Sequence, residues 1–303
     1  MSFPRVVRSF FLLISVLFGQ EPVPFVNPHP ISASHFNPIM DGGADRFEIA
    51  CKHASYYEDD TINYNGENYE RLIDFESSEL SLFYKKSYNG LTFSMDAGVT
   101  YNHEGFLDNT IVYVHDHMGS NGGRWKKRKE APRNEYHFSV IDANGNEIVT
   151  EERRWVYKVS AYVGVKLSYE FLIRGGVKPP IKKSDQLFAA KDYEYAVTLQ
   201  KIAQLGRVGV TADISYIWPA QDSTNLKVKE NRVGANLLIS YHGYYLQFNY
   251  VESVYEETRD DILDTFGGVY TFGYRGENWF FGIMEDFSLY NNPDISLMAG
   301  YSF

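Results

Sequence analysis

The stretch Ile295-Ser296-Leu297-Met298-Ala299-Gly300-Tyr301-Ser302-Phe303 decides the fold. Ile295, Leu297, Ala299, Tyr301 and Phe303 fall at every second position, and the residues between them are mostly small or polar. That is the two-residue period of a β-strand, with one face suited to an oily environment and the other to something else. If the oily face meets lipid, every backbone N–H and C=O must be paired within the protein. A closed barrel is the all-β way to achieve this.

The rest of the composition fits that solvent. The chain of 303 residues holds 24 Tyr and 21 Phe, an abundance suited to aromatic girdles at two membrane interfaces. Mean hydropathy is −0.34, as expected where polar lumen and loop residues dilute a lipid-facing half. A formal net charge of −10 argues against nucleic acid as a partner, and the single Cys51 excludes an internal disulfide framework. Arg5 and Arg8 followed by the apolar run Phe10 to Phe18 read as a signal peptide over 1–20, too short to span a bilayer as a helix. The Pro- and Asn-rich segment 21–45 reads as a periplasmic lead-in. The closing strand resembles the C-terminal signature of outer-membrane barrel proteins of Gram-negative bacteria. That resemblance implies an outer-membrane location and recognition of Phe303 by the barrel-assembly machinery.

Working back from the last strand, alternating segments follow one another through 46–303. In Leu91 to Asn102, the residues Leu91, Phe93, Met95, Ala97, Val99 and Tyr101 share one face. Trp155 to Ser168 and Val233 to Tyr241 repeat the pattern. Short turns such as Tyr88-Asn89-Gly90 and His242-Gly243 alternate with longer polar connections, as short periplasmic turns alternate with long outer loops in a barrel. The count predicts an all-β, antiparallel transmembrane barrel of about twelve strands: 46–57, 67–87, 91–103, 155–168, 170–178, 193–203, 207–218, 228–241, 244–256, 264–274, 279–289 and 294–303. The apolar phase of the second strand slips near Ser77-Ser78, which predicts a β-bulge. A soluble sandwich also alternates, but it would bury Asp96, Asp213, Arg174, Lys166, Arg232, Asn236, Gln247 and Asn249, at high cost.

The connection 103–154 is the least barrel-like part. Phe106, Leu107, Ile111, Val114 and Met118 lie at helical spacing, and Asn134 to Ile141 with Glu147 to Glu152 reads as a β-hairpin. Gly105-Phe106-Leu107-Asp108, the stretch carrying His115, Gly122-Gly123-Arg124, Pro132-Arg133-Asn134 and Gly175-Gly176-Val177-Lys178-Pro179-Pro180 resemble the domain-of-unknown-function family DUF3187, uncharacterised outer-membrane proteins. The resemblance implies a barrel, export and a helix in this loop; it implies no activity.

The residues that carry chemistry are few. His115 and His117 diverge on a helix, so no metal site and no cofactor is expected. Lys158, Lys166, Arg174 and Lys178 fall on one proposed lumen face, with Asp96, Asp213 and Asp286 on other strands. Opposed rows of charge would set a transverse field; a closed, salt-bridged interior is the alternative. Phe106, Leu107, Asp108, His115, Gly122, Gly123 and Arg124 would belong to a lid or constriction over 105–133. Lys126, Lys127, Arg128 and Lys129 would meet lipopolysaccharide phosphates or simply solvent. The function expected is passage of a small solute, with membrane lipid and lipopolysaccharide as surroundings. The alternatives are a lipid-modifying enzyme, for which His53 and Ser55 share the lipid-side face of one strand, and a structural or surface-interaction barrel.

Overall fold

A computed structural model describes residues 35–40, 45–64, 67–106, 109, 113, 135–150, 154–168, 170–181, 188–223, 227–255, 267–286 and 295–303. Its strands are β1 Arg46–Tyr64, β2 Glu67–Tyr88, β3 Leu91–His103, β4 His137–Ile141, β5 Glu147–Thr150, β6 Trp155–Lys166, β7 Phe171–Lys178, β8 Glu194–Leu205, β9 Val208–Trp218, β10 Arg232–Tyr241, β11 Tyr244–Val251, β12 Gly267–Arg275, β13 Trp279–Asp286 and β14 Ile295–Ser302. Each pairs antiparallel with its neighbours, and β1 pairs with both β2 and β14. The ring β1-β2-β3-β6-β7-β8-β9-β10-β11-β12-β13-β14 is therefore a closed barrel of the expected twelve strands. The hairpin β4–β5 attaches to β2 at Glu70–Asp74, above the point where β3 leaves it. Of the expected loop helix, only Asn109 and Tyr113 are described, both helical; the remainder lies outside the described residues.

Polarity along the wall is inverted relative to a soluble protein. Leu80, Leu82, Phe93, Val163, Val197, Ile214, Phe272, Ile283 and Leu297 point outward and are exposed, whereas Lys85, Asp96, Lys158, Arg174, Gln200 and Gln247 point inward and are buried. Tyr88, Tyr241, Tyr244, Trp279 and Phe303 ring one rim; Trp155, Tyr193, Tyr195, Tyr216 and Trp218 ring the other. This is a transmembrane barrel of the outer-membrane type. The turns are tight where positive φ is available: Asn89-Gly90 and His242-Gly243 both lie in the left-handed region. Phe303 N–H donates to the Phe47 carbonyl (2.9 Å), so the last residue is held at the rim where β1 starts.

The predicted bulge at Ser77-Ser78 is absent. β1 and β2 keep one register from Arg46↔Lys85 to Tyr64↔Glu67. Odd residues of β2 face inward throughout: Phe83, Ser81 and Glu79 below Ser77, Phe75 and Ile73 above it. What changes is the surroundings. Above Ser77, Tyr56, Ile73, Phe75, Phe138, Val140, Phe188, Val228, Val254 and Tyr255 form an inward apolar core. The barrel continues beyond the lipid with the ordinary polarity of a protein in water.

Candidate functional site

The lumen is filled, and part of the filling comes from upstream of β1. Residues 35–40 were expected in a periplasmic lead-in, 21–45; the structure places them inside the barrel. His35, Phe36, Ile39 and Met40 are all within 2% of complete burial. The segment lies between the outer and periplasmic halves of the lumen, and at the periplasmic rim Asp45 meets Lys86 (2.8 Å) and the Ser87 N–H (2.6 Å). The expected signal peptide lies outside the described residues.

The wall residues that hold this segment differ by level. At the outer end His35 Nδ1 lies 2.8 Å from Glu194 and its Nε2 lies 3.5 Å from Asp222. Lys178 donates to the other Glu194 oxygen at 3.5 Å, and Tyr255 donates to Asp222 at 2.5 Å. Lower down, the Phe36 ring meets the Tyr162 ring edge-on at 5.6 Å. A Cβ on Gly176 would come within 2.6 Å of Phe36, so the bare backbone there is what admits the ring. Arg174 donates to the Ile39 carbonyl at 2.6 Å and lies over the Tyr162 ring. Ile39 packs with Phe36, Phe83, Tyr162, Ala196, Ile217 and Val251; Met40 packs with Leu238, Tyr245, Phe280, Met284 and Met298 on the opposite wall. One short segment thus bridges two apolar patches of the interior below the outer apolar core.

The proposed lumen charges are inside, but they do not form opposed rows. Lys158 bonds Glu79 (2.7 Å) and lies 3.5 Å from Asp96, and Lys52 bonds the same Glu79 oxygen (3.1 Å). Two cations and two carboxylates on four neighbouring strands neutralise one another locally, as closely spaced charges in a low-dielectric interior must. Asp213 accepts from Asn236, which in turn accepts from Asn249. Arg46, Glu48 and Arg275 make a further ion group near the periplasmic end. The salt-bridged interior is therefore the arrangement found, and the transverse field is not. Lys166 has the inward parity of β6 but is exposed, because it sits at the end of the strand beside the 167–170 turn, past the packed interior. The Asp286 backbone pairs with Val269; its side chain lies outside the described residues.

The expected lid residues Leu107, Asp108, His115, Gly122, Gly123 and Arg124, and the basic run Lys126, Lys127, Arg128 and Lys129, also lie outside the described residues. Phe106 is described, and it does not face the lumen. Its exposed ring packs on His53 (4.8 Å) on the outer wall, because β3 ends there with its outward residues toward the interface.

Sequence reading passed over Glu79, Lys52, Glu194 and His35. Glu79 and Lys52 carry the inward parity of their strands and were legible on that ground. Phe36, Ile39 and Met40, three bulky apolar residues within six positions, were the signal that 35–40 does not belong in water.

No family model and no curated relative matches the chain. Among solved structures, it is similar to an outer membrane channel from Pseudomonas putida F1 (TM-score 0.45, 11% identity, covering 92% of this chain and 99% of that one). It is similar also to the Pseudomonas putida toluene transporter TodX (TM-score 0.37, 10% identity, 95% and 96% covered). The Ralstonia pickettii toluene transporter TbuX matches at TM-score 0.37 and 8% identity, with 86% and 89% covered.

Proposed function

We propose that this protein is a gated outer-membrane channel for a small solute, closed in this state by residues 35–40. The observation that carries the reading is the seating of that segment. A barrel needing only a rigid interior could fill it from its own walls, with every layer polar and paired. Here the interior instead carries two apolar patches, matched by Phe36 and Ile39 on one side and Met40 on the other. Remove the segment and those patches face water, which gives a solute with apolar surface somewhere to bind on its way through.

The seat is held by terms that can be undone without disturbing the wall, among them one charged hydrogen bond from Arg174, two imidazole–carboxylate contacts at His35, and three apolar side chains. The barrel itself is held by twelve strand pairings that none of these touches. Phe303 is proposed as the contact for the assembly machinery, and the 126–129 lysines and arginine as a contact for lipopolysaccharide.

The test is current through planar bilayers from the full mature chain and from a chain lacking residues 35–40. The full chain is expected to stay closed for most of the record, and the shortened one to conduct steadily. A shortened chain that folds, as judged by heat-modifiable gel mobility, and yet passes no current would overturn the channel reading in favour of a structural barrel.

A further inference from the structure

The outer wall carries a second constellation, unrelated to the lumen. His53, Ser78, Glu76 and His103 all have outward parity on β1, β2 and β3, and the strand register brings them together: His53 pairs with Ser78, and Glu76 with His103. Ser78 Oγ lies 3.0 Å from His53 Nδ1, and His53 Nε2 lies 2.8 Å from Glu76 Oε2. His103 Nε2 lies 3.0 Å from the same Ser78 oxygen. In sequence His53 shares a strand face with Ser55; the register gives it Ser78 instead, 25 residues away.

The direction of each hydrogen bond follows from one backbone group. Gly105 N–H donates to His103 Nδ1 (3.1 Å), so Nδ1 is an acceptor and the His103 proton sits on Nε2. His103 Nε2–H therefore donates to Ser78 Oγ. The Ser78 hydroxyl proton then goes to His53 Nδ1, and His53 Nε2–H goes to Glu76. The same three side chains, His53, Glu76 and His103, have ligand atoms close enough to hold a metal ion. The tautomer argues against that use. A metal-bound imidazole donates its second N–H to an acceptor, whereas the second nitrogen of His103 receives one.

We propose that Ser78, His53 and Glu76 form an acyl-ester hydrolase site on the lipid-facing wall, acting on ester-linked acyl chains of outer-leaflet lipid. The order hydroxyl–imidazole–carboxylate, with each pair in hydrogen-bond reach, is what an activated serine requires. Ser78 Oγ attacks the ester carbonyl carbon while its proton passes to His53 Nδ1. Glu76 holds the resulting imidazolium. The tetrahedral species collapses, the alcohol leaves with that proton, and the acyl group stays on Ser78. Water then gives a proton to His53 and its hydroxide to the acyl carbon; the second tetrahedral species collapses, Ser78 Oγ leaves and takes the proton back from His53, and the fatty acid is freed with both side chains restored. His103 Nε2–H, already beside Oγ, is the donor nearest the developing oxyanion. Glu76 is a positioning residue. Gly105 is what lets the loop pass so close to it: a Cβ there would come within 2.5 Å of the Glu76 carboxyl carbon.

Depth and access agree with that substrate. Ser78 pairs with Tyr101, and Tyr101 with Trp155, whose rings lie 4.5 Å apart in the outer aromatic belt. The site is thus level with the interface, where lipid esters lie. From Ser78 a shallow, mainly apolar groove runs down the wall past Cys51, Leu80, Val99, Leu297 and Ala299, with small side chains along its floor. An acyl chain descending into the outer leaflet would follow it. The Phe106 ring lies against both imidazoles, 4.8 Å from His53 and 6.3 Å from His103.

The experiment uses the full mature protein in mixed micelles, with palmitoyl-oleoyl phosphatidylethanolamine in one arm and lipopolysaccharide in the other. Released fatty acid is measured in each, and a hexadecyl fluorophosphonate probe is mapped by peptide mass. The folded protein is expected to take the label on Ser78 and to release fatty acid from one of the two lipids. Ser78→Ala and His53→Asn are expected to lower release at least about 100-fold with unchanged heat-modifiable mobility. Glu76→Gln is expected to lower kcat per folded molecule with KM unchanged, which a merely structural carboxylate would not do. No label on Ser78 with no release from either lipid overturns the proposal. So does release that survives Ser78→Ala, or that is lost with EDTA and restored by a divalent cation without Ser78 being labelled.

Discussion

Phe36→Ala is the sharpest test of the seated segment. The Phe36 ring is wholly buried among Tyr162, Ile39 and the Gly176 backbone. Burying a Phe side chain contributes about 1.5–3 kcal/mol relative to leaving it in water. The closed state is the one that buries it, and the open state returns it to water, so most of that term bears on the gating equilibrium alone. Truncation should therefore weaken closure by about 1.5–3 kcal/mol, which raises the open-to-closed ratio roughly 10- to 150-fold at about 1.4 kcal/mol per tenfold. Arg174–Ile39, Ile39 itself and Met40 remain, so closure is weakened and not abolished. Single-channel recording reads the ratio as open probability. In a Cys51→Ser background, Met40→Cys reports the same event as accessibility to a charged methanethiosulfonate. Both readings should rise together. Open probability unchanged within twofold would refute the assignment of Phe36 to the seat. Faster thiol labelling without added current would show that the segment leaves but is not what blocks passage.

Three further outcomes follow from other parts of the interior. Gly176→Val attacks the same seat from the wall, driving a side chain into the Phe36 and Tyr162 rings; open probability should rise as in Phe36→Ala, and a silent channel would count against the packing described. Lys158→Met leaves Glu79 and Asp96 short of a cation, and breaking a buried pair this way costs about 3–5 kcal/mol, read as a fall in the unfolding midpoint in detergent; an unchanged midpoint would mean that water reaches these groups. At the tip of the β4–β5 hairpin, hydrogen bonds from the Asn146 side chain and backbone, then from Asn144, hold the Asp142 carboxyl below its ordinary range. A depressed folded value means that its support of the turn is full above about pH 4 and is lost as pH falls through the lower folded value. The Asn144 and Asn146 amide shifts should move in that window and stay fixed in Asp142→Asn.

The wall was legible because lipid enforces a period. Leu91 to Asn102 and Trp155 to Ser168 can satisfy two solvents in only one way, and the twelve-strand count follows from repeating that reading between turns. The lumen was less legible, because charges on separate strands say nothing about which neighbour each will meet. Lys158 has inward parity that local sequence shows, but its partner Glu79 does not follow from local sequence, since pairing depends on the β2–β3–β6 register. The 35–40 segment was hidden for a similar reason. Its Asn37-Pro38 pair describes an irregular backbone; where that backbone lodges is decided by a cavity built largely from residues more than a hundred positions away, such as Tyr162, Arg174 and Ile217.

The slip in apolar phase at Ser77-Ser78 carries more than the misread bulge. The strand pairing shows no extra residue, so the change of face belongs to the solvent and not to the backbone. Below Ser78 the outward residues Leu80, Leu82 and Tyr84 are exposed to hydrocarbon; above it the inward residues Phe75 and Ile73 join an apolar core. The height at which one rule gives way to the other is the outer edge of the hydrocarbon, written into β2. His53, Ser78 and the Tyr101–Trp155 pair lie on that line, and the Glu76 carboxylate just above it is buried on the outward side, where an unpaired charge would be costly. A polar chain placed there for stability alone gains nothing over the Leu and Tyr residues one turn of the alternation below. The proposed hydrolase site accounts for its position, since the carbonyl of a lipid ester lies at that depth in the surrounding leaflet.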